Sequence, residues 1–189
     1  MNTVSKALLR KRLLARRDAI PGAARDIFSR IIIERLIQTT DWPAIRCVHC
    51  YIPMAERHEV DTWRLVRYLW ETWPDIETAV PGPLRPAGPI SYLISHQTKW
   101  RKETVVPYPA KPERAACASF DLIIVPCLGF DSERYRLGYG AGYYDRFLSS
   151  QSKSITVGVA FHAGFVADGL PLERHDIALD RIITERMVL

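Results

Sequence analysis

Residues 136–148 read RLGYGAGYYDRFL, with glycines at 138, 140 and 142 followed by two tyrosines and Asp145. Clustered glycine costs conformational entropy and marks backbone that takes unusual dihedrals or approaches another group closely. Two readings follow. In the first, consecutive N–H groups wrap phosphate oxygens and pass them to the start of a helix; in the second, the stretch is a surface turn. The spacing GxGxG is neither the GxGxxG of dinucleotide folds nor, lacking a GK[ST], a Walker loop. Asp145 has two readings as well. Magnesium favours one or two carboxylates beside substrate phosphates, whereas an acid in the first turn of a helix is ordinary.

The remaining reactive side chains form no familiar catalytic set. Cys47 and Cys50 make a CxxC in RCVHCYIP, but the stretch reads as a strand, where residues three apart point to opposite faces. A redox CxxC belongs at a helix N-terminus. Zinc would need a second close pair, which Cys117 and Cys127 do not make. Buried thiols in a reducing compartment are expected. His162 and His175 read as structural, and no Ser or Cys triad is evident.

These residues must be held by an alternation of helices and strands. Residues 4–18 carry a helical period, Leu9 and Leu13 sharing a stripe flanked by Lys6, Arg10 and Arg17. Pro21 and Gly22 interrupt it before a second helix over 23–38. A turn at 41–43 leads to a buried strand, IRCVHCYI. A helix capped by Asp61 or Thr62 follows, then the short strand IETAV. PGPLRPAGP reads as loop, ISYLIS as a strand, and VVPYPAKPERAACAS as an irregular crossing held extended by prolines. FDLIIVP is the clearest buried strand. The glycine stretch and the helix YYDRFLSS come next, then the strand SITVGVAF and a last short strand near Ile182 and Ile183. The pattern predicts a single α/β domain over residues 1–189, a three-layer sandwich whose largely parallel sheet is flanked by helices. In such sheets sites lie at the carboxyl ends of the strands, and the glycine stretch follows FDLIIVP in that order.

Hydrophobic residues at 48% and charged residues at 25% suit a globular chain with an ordinary core. No apolar run approaches a membrane span, and the N-terminus lacks a secretory pattern, so a cytoplasmic location is expected. A net charge of +5 is compatible with an anionic ligand or with nucleic acid.

The stretch DLIIVPCLGFDSERYRLGYGAGYYDRFL strongly resembles the signature of the 5-formyltetrahydrofolate cyclo-ligase (5,10-methenyltetrahydrofolate synthetase) family. SKALLRKRLLARR, YIPMAERHEVDT, TVGVAF and LPLERHDIALDRIITE resemble its other segments. The resemblance implies that ATP drives closure of 5-formyltetrahydrofolate to 5,10-methenyltetrahydrofolate, releasing ADP and phosphate. It implies Mg2+ as cofactor and a monomer with neither nucleic-acid nor membrane partners. By matching positions, Lys6 and Arg10 would contact ATP phosphates. Arg136, Leu137, Gly138, Tyr139, Gly140, Ala141, Gly142, Tyr143 and Tyr144 would wrap the nucleotide. Ile52, Met54 and Glu59, with Tyr139 and Tyr143, would line the folate site. Asp145 would carry magnesium, with Asp180 as a second ligand, and Arg136, Tyr143 and Asp145 would serve the chemistry.

Two departures from the family pattern stand out. AERH adds two residues before EVDT, which makes Glu59 the natural match for the family glutamate and Glu56 its competitor. Tyr139 and Ala141 also stand where some relatives carry basic residues. Two alternative functions therefore remain: a family-like ATP-binding protein with a changed substrate, and a basic RNA- or nucleotide-binding module using the Arg-rich first helix.

Overall fold

The computed structural model describes residues 5–83, 88–101, 107–115 and 119–189. Cys117 and parts of the two proline-rich stretches lie outside them.

Strand β4 (Leu122–Pro126) is the centre of the molecule. Its side chains are apolar on both sides because both faces of the sheet are covered. Leu122 and Ile124 pack into one core with α2 (Gly22–Gln38) and α3 (Trp63–Thr72). Ile123 and Val125 pack into another with Phe147 and Leu148 of α4 (Tyr143–Leu148). Each such aliphatic side chain contributes about 1.5–3 kcal/mol by leaving water. Around β4 run β1 (Cys47–Cys50), β2 (Glu77–Pro81), β3 (Ser91–Ile94), β7 (Ile155–Val159) and β8 (Arg181–Ile183), in the order β3-β2-β1-β4-β7-β8. All neighbours are parallel except β2 and β3. The expected α/β architecture with a largely parallel sheet is what forms.

The CxxC behaves as its strand setting requires. Cys47 and Cys50 are buried on opposite faces, in different cores. Burial pushes the Cys50 thiol up to about 12, as it does that of Cys127. Between the two cysteines sits His49, fully buried against Phe120 and Phe147, with neither ring nitrogen hydrogen-bonded. Desolvation lowers its pKa to about 3, so the ring is a neutral aromatic filler.

Three details depart from the expectation. The strand β4 is followed by a small antiparallel ribbon, β5 (Gly129–Phe130) with β6 (Arg136–Leu137). Helix α1 (Lys6–Asp18) packs on this ribbon, with Leu13 against Leu128 and Leu137. Helix α4 ends at Leu148, so the serines of YYDRFLSS form only its C-terminal turn. The start of α3 is shared: Thr62 holds the N-cap position but gives its hydroxyl to the Tyr51 carbonyl, while Asp61 accepts from the Trp63 N–H.

Asp180 is the correction that bears on chemistry. Its Oδ2 accepts both the N–H and the hydroxyl of Thr156, at 2.7 and 2.8 Å, and its own N–H donates back to that hydroxyl. Thr156 lies at the beginning of β7 and Asp180 immediately before β8. The carboxylate therefore pins the amino ends of two parallel strands, away from the carboxyl ends where a site forms. It does not line the cavity described below. Asp180→Ala should lower stability by about 1–2 kcal/mol, seen as a reduced denaturation midpoint, with the magnesium dependence of activity unchanged.

Candidate active site

Parallel pairing makes β1 and β4 leave the sheet at the same edge, at Tyr51 and Pro126. Above that edge opens a cavity of about 670 Å3. Its wall combines segments far apart in sequence: Lys6 and Arg10 from α1, Ile52, Met54, Arg57 and Glu59 beyond β1, and the whole of residues 136–145. Every site residue expected from the sequence lines this cavity except Asp180.

The glycine loop answers the question posed by its sequence in three different ways. Gly140 has φ +96° and Gly142 φ +62°, the left-handed region in which a side chain is strained. A Cβ on Gly140 would also sit 3.2 Å from the Arg10 guanidinium carbon. Gly138 has neither constraint; the space where its Cβ would stand is open. Among the described residues, no acceptor takes the N–H groups of residues 138–142, so a row of backbone donors is left beside the cavity. The six-residue α4 behind it is too short for a substantial dipole, so these amides are the loop's main asset for an anion.

The ends of the loop are tied together. Arg136, whose side chain is only 5% exposed, donates to Asp145 Oδ1 at 2.7 Å and to the Ile177 carbonyl at 2.8 Å. Asp145 keeps Oδ2 for another partner. Mg2+ takes one or two carboxylate oxygens with phosphate and water oxygens completing its shell, so Asp145 Oδ2 fits that role while the amides of the loop suit the phosphates. Leu137 faces two ways, lining the cavity while its side chain joins the core beneath α1.

Helix α1 supplies cations from one stripe. Lys6 Nζ lies 2.7 Å from Asp176 and 3.3 Å from Glu173, and Arg10 Nε donates to the Gly138 carbonyl at 2.9 Å. Arg17, one heptad beyond Arg10, is buried and donates to the Tyr139 hydroxyl at 2.8 Å. These side chains of the Arg-rich helix are thus turned into the protein, while Lys11, Arg12 and Arg16 are exposed. His175 stands at the cavity wall, largely exposed, beside Glu173. His162 stacks on Phe165 away from the cavity.

The extra residues of AERH form a short 3-10 turn, Ala55–Arg57, closed by His58 at φ +48°. Glu56 is exposed on that turn. Glu59 lies in the cavity, its Oε2 accepting the Met54 N–H at 2.8 Å and its Oε1 the Tyr139 hydroxyl at 2.9 Å. Burial leaves the Glu59 pKa above its ordinary value, a rise that those two donors and the charges of Arg17 and Arg57 offset only in part. The Arg57 guanidinium also lies 4.5 Å from the centre of the Tyr139 ring. Tyr51, Tyr108 and Pro107 also line it; the sequence had not marked them, because nothing in their local pattern differs from core or loop.

A mostly parallel six-stranded sheet with a glycine loop and a cavity of mixed charge at its carboxyl edge is an α/β fold whose site lies beyond the strand ends. The chain belongs to the 5-formyltetrahydrofolate cyclo-ligase family, whose model matches residues 2–185. It is 29% identical to the 5-formyltetrahydrofolate cyclo-ligase of Escherichia coli K12 over 139 residues, 69% of this chain and 74% of that protein. It is 31% identical to the Mus musculus enzyme of the same name over 94 residues, which span 47% of this chain and under half, 46%, of the mouse protein. The solution structure of 5,10-methenyltetrahydrofolate synthetase from Aquifex aeolicus superposes with a TM-score of 0.81 at 29% identity, covering 97% of this chain and 91% of that one.

Gly140→Val tests the loop. A β-branched side chain at this φ costs roughly 1–3 kcal/mol and displaces the Arg10 guanidinium. The expected result is a KM for the anionic co-substrate raised about tenfold or more, with a denaturation midpoint lowered only modestly; unchanged kinetics would show that the loop makes no ligand contact.

Proposed function

We propose that this chain closes 5-formyltetrahydrofolate to 5,10-methenyltetrahydrofolate at the expense of ATP. Family membership supports the reaction class. The observation that carries it is the meeting, in one cavity, of the amide-lined loop with its cations and the carboxylate of Glu59. ATP phosphates would lie along residues 138–142, with Lys6 and Arg10 offsetting their charge. Mg2+, held by Asp145, would neutralise charge on the transferring phosphoryl group. Arg136 keeps Asp145 oriented. The reduced pterin offers neighbouring N–H donors, and a carboxylate accepts two of them in one plane. Glu59 is placed for that, with Ile52, Met54, Tyr139 and Tyr143 lining the same space.

The chemistry needs little more from the protein. A formyl amide is a weak electrophile with a poor leaving oxygen. Transfer of the γ-phosphoryl group to that oxygen releases ADP and turns the oxygen into a phosphate leaving group. N10 of the same folate then forms the new C–N bond, losing its proton as phosphate departs. The protein's share is to place the formyl oxygen in line with the phosphoryl group and to keep water out. No Ser or Cys nucleophile is called for.

The changed-substrate reading rests on the AERH insertion. The turn absorbs it while leaving Glu59 in the cavity, which favours the folate. Appearance of methenyltetrahydrofolate absorbance from 5-formyltetrahydrofolate should require ATP and a divalent cation together, one phosphate being released per ring closed. Turnover without ATP would overturn the proposal, and ATP binding without turnover would favour the changed substrate.

Glu59→Gln should raise the folate KM or lower kcat by the equivalent of ~1.5–3 kcal/mol, the worth of a charge-assisted hydrogen bond, with little change in the ATP KM. Glu56→Gln should be near neutral in the same assay. Asp145→Asn should keep the fold but demand more magnesium and turn over more slowly. Normal magnesium dependence in that variant would make Asp145 a partner of Arg136 alone.

A further inference from the structure

Arg17 is a buried cation without an anion in contact. It is 6% exposed, its Nε–H has no acceptor, and no carboxylate among the described residues lies within ion-pair distance of it. Among the described residues its side chain has one hydrogen-bond partner, the Tyr139 hydroxyl, and it lies 5.5 Å from the centre of that ring. Removing a guanidinium from water is costly unless a countercharge is near. The countercharge is on the far side of that hydroxyl: Glu59, 2.9 Å from the same oxygen.

The direction of the chain of bonds follows from elementary donor counting. Arginine has only donors, so the tyrosine oxygen must accept from it. The single hydroxyl hydrogen is then left for Glu59 Oε1. With Oε2 held by the Met54 N–H, the carboxylate of this cavity-lining residue is fixed at two points. Arg17 does not itself line the cavity. We infer that Arg17 is a positioning residue for the folate-binding carboxylate, acting through Tyr139 to fix the orientation of Glu59. The inference rests on the proposed folate role of Glu59. It adds that helix α1 serves both ends of the cavity, Lys6 and Arg10 at one and Arg17 at the other.

Four groups lower the Glu59 pKa from the elements around it: the Met54 N–H, Tyr139 on the glycine loop, Arg17 on α1 and Arg57 on the 3-10 turn; Tyr51 at the end of β1 and Tyr144 on α4 face it as neutral phenols, which its charge pushes up. Burial raises the Glu59 pKa and the two arginines oppose it. Loss of Arg17 or of the Tyr139 hydroxyl therefore moves Glu59 titration to higher pH, so that less carboxylate is present on the acid side.

The test has two readouts. Titration of the Glu59 carboxyl carbon by NMR, assigned by difference from Glu59→Gln, should shift to higher pH in Arg17→Met and in Tyr139→Phe. Arg17→Lys should stay nearer the wild type, and Arg17→Met should shift it less when Tyr139→Phe is already present. In kinetics, Arg17→Met should raise the KM for 5-formyltetrahydrofolate about tenfold, move the acid limb of kcat/KM upward, and leave the KM for ATP unchanged. Should burial make Arg17→Met fold poorly, Tyr139→Phe and Arg17→Lys carry the titration alone. A lowered denaturation midpoint with Glu59 titrating as in the wild type would overturn the inference and make Arg17 structural. A silent Glu59→Gln in an active enzyme would instead overturn the folate role of Glu59, with the NMR titration still deciding whether Arg17 controls it.

Discussion

The ion pair between Arg136 and Asp145 closes the base of the glycine loop, and the cavity depends on it. The two residues stand at the ends of a segment whose interior amides have no acceptor among the described residues; its carbonyls and the Tyr139 side chain are held by Arg10, Arg146, Arg17 and Glu59. Arg136 also belongs to the ribbon on which α1 packs, and its second bond reaches the C-terminal segment at Ile177. One guanidinium thus joins the ribbon, the start of α4 and the strand-to-strand connection before β8. Without an acceptor at position 145 the buried guanidinium would keep only the Ile177 carbonyl, whereas an asparagine oxygen there can still accept from it.

Around this tie, distant parts of the chain converge without a dedicated binding domain. The parallel pairing of β1 with β4 sends Glu59 and the loop out of the same sheet edge. Tyr139 then bridges them, its oxygen reaching Glu59 and its ring lying near Arg17 and Arg57. A chain with tyrosine here places its positive charge around the loop instead of on it.

Much of this was legible in the sequence, and the exceptions have physical reasons. FDLIIVP announced a central strand because both faces of β4 are buried, which removes any alternation. The glycine spacing announced a strained loop, since two of the three positions have dihedrals that other residues adopt poorly. Glu59 was marked by the Val60-Asp61-Thr62 that follows it, and the inserted turn absorbs the extra residues locally. The ribbon of β5 and β6 escaped notice because two-residue strands carry no period. Arg17 was visible only as one more base on a basic helix; its partner is 122 positions away and nothing local pairs them. Asp180 misled for the opposite reason. A carboxylate before a strand looks the same in sequence whether it binds a metal or two ends of the backbone.

The neutral imidazole sealed between β1 and α4 gives the core a chemical sensitivity that hydrocarbon would not. His49 takes no proton in the folded protein until about pH 3, whereas the unfolded chain takes one near 6.5. Unfolding therefore becomes proton-consuming in mild acid, and each pH unit below 6.5 removes about 1.4 kcal/mol of stability, until the buried ring itself titrates. That loss comes to about 2 kcal/mol by pH 5. The contribution of His49 is complete above its unfolded value, through a residue that takes no part in the chemistry.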